Sequence, residues 1–382
     1  MIGPTWPYRG GIAHYTTLLF RAFKKMHNVT LCAVKRQYPM WLYPGKTDKD
    51  PSKTPLDEPG IEYLLDSMNP FSWLRIISHI HKTNPDVVII PWWVTFWTVQ
   101  YWTICTGIRL FSKAKILFIC HNVVEHESSK LKNFLTKIVL QQGDFFLAHS
   151  GEIRDTLLQL VPNAHIGIKG HPNYDFFRAD RVDRGTERAK YGFDDRDLVL
   201  LFFGFVRQYK GVPYLLDALR ILHRDHTNIK LLLAGEAWHE EEETIQAKIR
   251  EYGLTEHVVR INDYVPNEDV PRYFAAADVA VFPYSTATAS GALQIALALQ
   301  TPVIATNMSC FREVVDEGES GIIIQPDSPQ AIADAVRQFI KGGEVNRELI
   351  DAMKAHIAGG TRQIEWSDMA EFLTQLITEP RV

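Results

Sequence analysis

The sequence predicts an α/β protein made of two doubly wound domains, each a parallel sheet with helices on both faces. Three observations predict it. Short apolar, β-branched runs alternate with longer amphipathic runs along the whole chain, the pattern of strand–helix–strand units. The 382 residues are enough for two ordinary domains with a core in each. A polar, turn-rich stretch, Gly170 to Asp197, breaks the alternation near the middle. Two such domains facing each other would form a cleft at the carboxyl ends of their strands, where ligands bind in sheets of this kind.

Taken in order, the first half offers four buried strands: VTLCAV (Val29–Val34), DVVII (Asp86–Ile90), KILFIC (Lys115–Cys120) and DFFLAHS (Asp144–Ser150). Too few residues precede Gly10-Gly11 for a full strand, so a first strand there is short or truncated. The apolar segment Val87–Phe111 carries Pro91, Gln100 and Arg109; it reads as a buried strand, a turn and an aromatic-rich helix, not as a membrane span. In the second half the strands are LVLLFFG, IKLLLAG, VVRIND, VAVFPY, PVIAT and GIIIQ, beginning at Leu198, Ile229, Val258, Val279, Pro302 and Gly321. Between the first two lies the helical run Gly211–Asp225. The tail, Ile364–Ile377, is one more amphipathic helix.

Composition narrows the function classes. With 46% hydrophobic and 23% charged residues, the chain is neither disordered nor fibrous. Cys32, Cys105, Cys120 and Cys310 have no metal-ligand or redox spacing, which suits small buried residues in a reducing compartment. The opening MIGPTWPYRGG lacks a basic region followed by an apolar one, so no secretory signal is expected and the location expected is cytoplasmic. The net charge of −4 hides an asymmetry: residues 1–175 hold 19 basic and 13 acidic residues, the remainder 22 and 32. A basic half beside an acidic half points to an anionic partner for the first, such as a membrane surface touched peripherally from the cytoplasmic side or a phosphorylated acceptor. Basic residues do not cluster with aromatics in any one stretch, which argues against nucleic acid.

Four clusters sit at expected strand ends. In PYRGGIAHYTTLL, Gly10 and Gly11 open a helix, and bare backbone at a helix start lets N–H groups approach an anion. After KILFIC come His121, Asn122, His126 and Glu127, polar side chains placed to face a cleft; the spacing of the two histidines and Glu127 fits no metal motif. After LLFFG, ending at Gly204, Arg207 and Lys210 stand three residues apart before a helix at Gly211, an arrangement suited to a diphosphate. In VAVFPYSTATASGALQIALALQTPVIAT, a strand feeds small and hydroxyl residues, and a helix begins near Ser290-Gly291. Ser290 is the expected N-cap and the following N–H groups form an anion site.

These motifs, in this order, resemble the family-4 glycosyltransferases, whose two-domain architecture is called GT-B. The likeness is carried by the amino-terminal GG, HN after a middle strand, G…KG opening the second domain, LLLAGE, Y…SGALQIALALQTPVIAT and FREVVDEGESGIIIQPDSPQAIADAV. The resemblance implies a retaining transfer of a sugar from a nucleotide sugar, a UDP- or GDP-sugar, to an acceptor, without metal or other cofactor. It implies domains at 1–172, for the acceptor, and 173–362, for the donor, with a last helix at 363–382 packing back on the first. Catalytic roles fall to His121, Arg207 and Lys210. Donor contacts fall to Gly10, Gly11, Gly204, Glu236, Thr286, Ala289, Ser290, Gly291 and Gln294, and acceptor contacts to His14, Asn122, His126 and Glu127. The family favours a lipid-linked or polysaccharide precursor as acceptor, in bacterial capsule or exopolysaccharide assembly.

The sequence departs from the family in three places. Two glutamates with seven residues between them are usual; Thr286 and Gln294 stand there instead. The arginine that normally follows the strand-end glycine is Phe205, with Arg207 two residues on. The departures motivate a second reading, a catalytically silent sugar-nucleotide-binding or partner-activating subunit. An epimerase would need an acid–base pair that the sequence does not offer. A nicotinamide dehydrogenase would need a GxGxxG after an amino-terminal strand, and none is present.

Overall fold

The computed structural model describes residues 1–39, 41, 43, 45–123, 129–178, 182–360 and 364–378. The chain divides into two compact units: unit 1 is Met1–Asp50, Pro55–Pro172 and Ile364–Val382, and unit 2 is Pro51–Thr54 and Asn173–Gln363. Unit 1 begins with β1 (Ile2–Gly3), α1 (Gly11–Lys24), β2 (Leu31–Arg36), β3 (Ile61–Asp66), α2 (Pro70–Thr83) and β4 (Val87–Trp92). It continues with α3 (Thr98–Phe111), β5 (Lys115–Cys120), α4 (Lys130–Leu140), β6 (Phe145–Ala148), α5 (Gly151–Leu160) and β7 (His165–Ile168). Unit 2 contains α6 (Arg184–Lys190), β8 (Leu198–Phe203), α7 (Val212–Leu222), β9 (Ile229–Ala234), α8 (His239–Glu251), β10 (Val258–Ile261) and α9 (Val270–Ala276). Then follow β11 (Val279–Phe282), α10 (Gly291–Ala298), β12 (Val303–Thr306), α11 (Ser309–Arg312), β13 (Gly321–Ile324) and α12 (Pro329–Gln338). A short hairpin, β14 (Ile340–Lys341) and β15 (Glu344–Val345), leads into α13 (Arg347–Ala358), and α14 (Trp366–Thr378) belongs to unit 1 again.

In unit 2 all six long strands run parallel in the order β10-β9-β8-β11-β12-β13. Numbered within the unit this is 3-2-1-4-5-6, the doubly wound order, and its reversal lies between β8 and β11. Unit 1 has the same order in two pieces, β3-β2-β1 and β4-β5-β6-β7, with β1 lying beside β4. The ladder stops between them because β1 is two residues long and Pro91 of β4 has no N–H to give. A methyl at Gly3 would stand 3.1 Å from the Pro91 ring. The α/β doubly wound class expected from the sequence is therefore the one observed. The first strand, β1, is two residues long.

Strand alternation sorts the core of unit 1 into two faces. Val88, Ile90, Ile116 and Phe118 turn to one side, where Trp73, Ile76, Ile104, Ile108, Val139 and Leu157 from α2 to α5 cover them. Ile89, Leu117, Ile119 and Leu147 turn to the other, where Leu19 and Phe23 of α1 meet Met369, Leu373 and Leu376 of α14. That is period-2 packing under period-3.6 stripes. Gly167 in β7 makes room for α14: a Cβ there would meet the Phe372 ring at 2.8 Å and Leu376 at 2.9 Å. Gly107 does the same between α2 and α3, since a Cβ would fall 2.4 Å from the Ile77 side chain.

Unit 2 carries one buried charge network. Asp278, just before β11, is fully buried and accepts from Arg184 at 2.5 Å, from Arg188 at 3.2 Å, from Arg347, and from the Val199 N–H at 2.8 Å. Burial works against its ionisation, but the three guanidinium groups and the N–H outweigh it and hold the carboxyl below its usual pKa. The network ties α6 and α13 to the amino ends of β8 and β11, whose other ends carry the site.

No helix among the described residues is long and apolar enough to cross a membrane.

Candidate functional site at the strand ends

The reversal between β8 and β11 puts the loops Gly204–Gly211 and Pro283–Ser290 side by side, and glycines hold them there. Gly211 has φ 69°, and a Cβ on it would lie 1.9 Å from the Pro283 carbonyl oxygen. Gly235, at the end of β9 with φ 143°, would bring a Cβ to 1.9 Å from the Gly204 carbonyl oxygen. The two loops also bond directly, Ser285 N–H to the Tyr209 carbonyl at 2.8 Å. Ser285 in turn donates to Asp327, and the Thr306 hydroxyl donates to the Tyr284 carbonyl at 2.8 Å.

Lys210 ends a single 3₁₀ turn, Gln208–Lys210, and its ammonium sits 5.0 Å from the centre of the Tyr284 ring. It is half-buried, and no carboxylate pairs with it among the described residues. Burial pushes its pKa below the ordinary lysine value; Tyr209 opposes that shift and the nearby Arg207 charge adds to it. A Cβ placed on Gly204 (φ 110°) would have both the Lys210 ammonium at 3.5 Å and Ala292, in the first turn of α10, at 3.9 Å. A desolvated cation and a helix start thus share one small space. Arg207 stacks its guanidinium 3.1 Å from the centre of the Trp238 ring and donates to the Val206 carbonyl at 3.0 Å.

The sequence expectation for Ser290 holds in the geometry: it is the N-cap of α10, and its hydroxyl accepts the Leu293 N–H at 3.2 Å. The N–H groups of Gly291 and Ala292 have no partner among the described residues. At the far end Arg178 donates to the Ala298 carbonyl at 2.8 Å, satisfying the negative end of the helix dipole. Thr286, Ala289, Ser290 and Gly291 are half-buried along the same loop, and Gln294 is buried one turn into α10. Glu236 is buried beside this loop system, its carbonyl accepting the Val206 N–H at 2.9 Å. Unit 2 therefore gathers Gly204, Arg207, Lys210, Glu236 and Thr286 through Gln294 around the carboxyl ends of three strands.

Unit 1 has its own constellation. Gly10 (φ 101°) is the N-cap of α1, and Gly11 is its first residue. Nothing lies within 4 Å of a Cβ built on Gly11, so its backbone is open to approach. The buried His14, in the same first turn, has its Nε2 3.7 Å from Asp50. Arg9, which the sequence reading passed over, is buried beside this turn and donates to the Tyr43 hydroxyl at 2.9 Å.

His121 follows β5 directly. Its backbone N–H donates to the Trp92 carbonyl at 2.9 Å, which fixes where the ring leaves the strand, and Asn122 is half-buried beside it. His126 and Glu127 lie outside the described residues. His121 is part of an aromatic cluster that the sequence did not reveal. Its ring packs edge-on against Tyr15 at 4.6 Å and lies 5.4 Å from His149, and His171 is 5.2 Å from His149. Trp366 of α14 closes the group against Tyr15 at 4.9 Å.

Burial drives all three histidines towards the neutral form: His121 well below its ordinary pKa, His149 to about 3 and His171 to about 4. Mutual repulsion adds to burial for His121 and His149. The Lys169 carbonyl, 3.1 Å from His149 Nδ1, and the Pro172 carbonyl, 3.0 Å from His171 Nδ1, receive N–H bonds from the neutral rings. No group of three or more His, Cys, Asp or Glu among the described residues is arranged to hold a metal ion.

Known proteins resemble this chain over most of its length. The family profile described as Glycosyltransferase Family 4 matches residues 9–168, and that described as Glycosyl transferases group 1 matches residues 183–356. The chain belongs to glycosyltransferase family 4.

Among curated members, a putative glycosyltransferase, YtcC of Bacillus subtilis, is 26% identical over 66% of this chain and 65% of its own length. The D-inositol 3-phosphate glycosyltransferase of Corynebacterium jeikeium is 30% identical over 52% of this chain and 48% of its own. The matched region thus spans between about half and two thirds of these relatives. Among solved structures, HepE of Anabaena in complex with UDP and glucose superposes with a TM-score of 0.75 at 13% identity, covering 99% of this chain and 98% of that one. Sucrose-phosphate synthase of Thermosynechococcus elongatus gives 0.73 at 16% identity, covering 98% and 97%. The fold of this glycosyltransferase family member is GT-B.

Proposed function

We propose that the protein transfers a sugar, with retention, from a nucleotide sugar to an acceptor, and that unit 2 holds the donor diphosphate. The observation that carries this is Lys210. A desolvated ammonium without a carboxylate, next to the two open N–H groups of α10, is costly as it stands and is relieved by a phosphate group. Charge building on the departing diphosphate is the main demand of a dissociative, oxocarbenium-like transition state. Lys210, Arg207 and the Gly291 and Ala292 N–H groups are the donors that would meet it. Glu236 and Gln294 are assigned to the nucleotide, Gln294 by hydrogen bonding to the ribose, and Thr286 and Ala289 to the sugar side of the loop. The donor is a UDP- or GDP-sugar, and the UDP in the HepE complex favours UDP. In unit 1, Gly10, Gly11, His14, His121 and Asn122 are assigned to recognition at that unit's own strand ends. Neutral His121 would position or polarise a hydroxyl. No metal is assigned a role. The acceptor proposed is a lipid-linked or polysaccharide precursor of a bacterial cell envelope, met at the cytoplasmic face of the membrane.

A thermal-shift screen against UDP-, GDP- and ADP-sugars, with free nucleotides and NAD as controls, tests the donor. A ligand that binds only the folded state at a hundredfold excess over its dissociation constant adds about 2.7 kcal/mol. Stabilisation by one nucleotide family, lost in Lys210→Ala, is the expected result; no shift with any nucleotide refutes it. Thr286 and Gln294, neutral where the family has glutamates, favour a second reading, a subunit that binds the donor without transferring it. Donor hydrolysis or sugar transfer by the purified chain would eliminate that reading.

A further inference from the structure

We propose that the outer face of α2, α3 and α4 in unit 1 docks on an anionic lipid bilayer. The three helices pack in a row, α3 touching both neighbours. Their inner stripes already fill the core, through Trp73, Ile76 and Ile80 of α2, Ile104, Cys105 and Ile108 of α3, and Val139 and Leu140 of α4. Their outer stripes are apolar as well. Phe71 is 80% exposed, Leu110 70%, Leu131 66% and Phe134 59%, with Leu74 and Trp102 between them. On α3 the exposed Val99, Trp102 and Leu110 and the half-buried Thr103 and Thr106 recur at helical spacing without a charge. Arg109, to one side, is held by Asp144 at 2.9 Å.

Charge selects the partner. Not one of the three helices contains Asp or Glu, whereas Arg75, Lys82, Lys130 and Lys137 are exposed on them. An ordinary solvated helix mixes the two signs; α8 of unit 2, with Glu240, Glu241 and Glu242 in its first turn and Lys248 and Arg250 in its last, does so. Protruding aromatic and leucine side chains on helices whose only charged residues are cations match the interfacial zone of a negatively charged bilayer, where rings and chains enter the acyl boundary and ammonium groups meet headgroup phosphates. No span is involved, in keeping with the absence of a spanning helix among the described residues. The proposal deepens the reading of a lipid-linked acceptor, and its test is separate: vesicle binding reads this surface, and donor stabilisation in free solution reads the transferase.

The experiment is co-sedimentation of the full chain with vesicles of phosphatidylcholine alone or mixed with phosphatidylglycerol, at low and high salt. Two variants accompany it, Leu110→Ser with Phe134→Ser, and Lys130→Glu with Lys137→Glu. Expected are binding to the mixed vesicles only, at least tenfold weaker binding at high salt and in each variant, and unchanged melting temperature and nucleotide-induced stabilisation. Brominated lipids should quench tryptophan fluorescence less in Trp102→Phe than in the unaltered chain. Equal binding to neutral vesicles, no binding by the folded protein, or variants that bind as the parent does would overturn it. So would a concentration-dependent dimer that both variants abolish, which would assign the face to a second copy.

Discussion

Lys210 shows how far a single side chain can carry a functional argument, because its environment is unfavourable for it. Removing the ammonium should relieve that cost: Lys210→Met is expected to leave unfolding stability unchanged or raised, while kcat/KM for sugar transfer falls roughly 10²–10³-fold, the range for loss of one donor to a developing anion. Urea denaturation beside steady-state kinetics separates the two. Gly11 and Gly211 make a matched pair at the same scale. Gly11→Ala meets no atom within 4 Å and should fold normally, so any fall in ligand-induced stabilisation reports on ligand approach alone. Gly211→Ala forces a Cβ to 1.9 Å from the Pro283 oxygen at positive φ and should cost roughly 2 kcal/mol or more in urea denaturation. The histidines give a pH prediction. Unfolded, His149 and His171 take up protons below about pH 6.5; folded, they do so only at about 3 and 4. Protons therefore favour the unfolded chain in that window, and stability falls as pH drops below 6.5, by up to about 1.4 kcal/mol per histidine for each pH unit. In His149→Gln the slope of melting temperature against pH should be shallower between pH 6.5 and 4.

At the scale of elements, β11 joins structure to chemistry, with Asp278 before it and Tyr284 just after it. Asp278→Asn should cost roughly 3–5 kcal/mol, because it leaves three guanidinium groups around a neutral amide. The parent should lose the same contribution only in acid, as pH falls through the depressed carboxyl pKa; denaturant midpoints against pH for both proteins would show it. The elements also show what the sequence can disclose. Strands buried on both faces, such as Leu198–Phe203 and Lys115–Cys120, are continuous apolar runs and were legible. β3 and β7 were not: each lies at a sheet edge, and their polar or short sequences, IEYLLD and HIGI, lack the apolar signal. Gly204, Lys210 and Ser290 were legible because chemistry-bearing residue types directly follow a strand. Trp238 and Tyr284 were not, since an aromatic residue reads as core until a cation is found over its face. His149 and His171 were hidden for another reason. They come from three separate strand ends with His121, and only the order β5-β6-β7 makes them neighbours.

For the whole molecule, the uneven charge found in the sequence acquires a location. Part of the basic excess of the first half sits on α2, α3 and α4, which hold no acidic residue at all. Salt should therefore weaken any vesicle attachment of the full chain while leaving donor affinity in free solution nearly unaffected, a comparison that titrations at two ionic strengths would make. The chain path has a further consequence, for the protein during its own synthesis. Unit 2 is nearly continuous in sequence, but one core of unit 1 is completed by Met369, Ala370, Leu373 and Leu376 of α14. On the ribosome, the half made first must wait until unit 2 and then α14 have been made before that face is covered. Until then Leu19, Phe23, Ile89 and Leu117 remain open to water and to neighbouring nascent chains. A chain stopped at residue 363 should keep the cooperative unfolding of unit 2, lose that of unit 1, and depend on chaperones as the full chain does not.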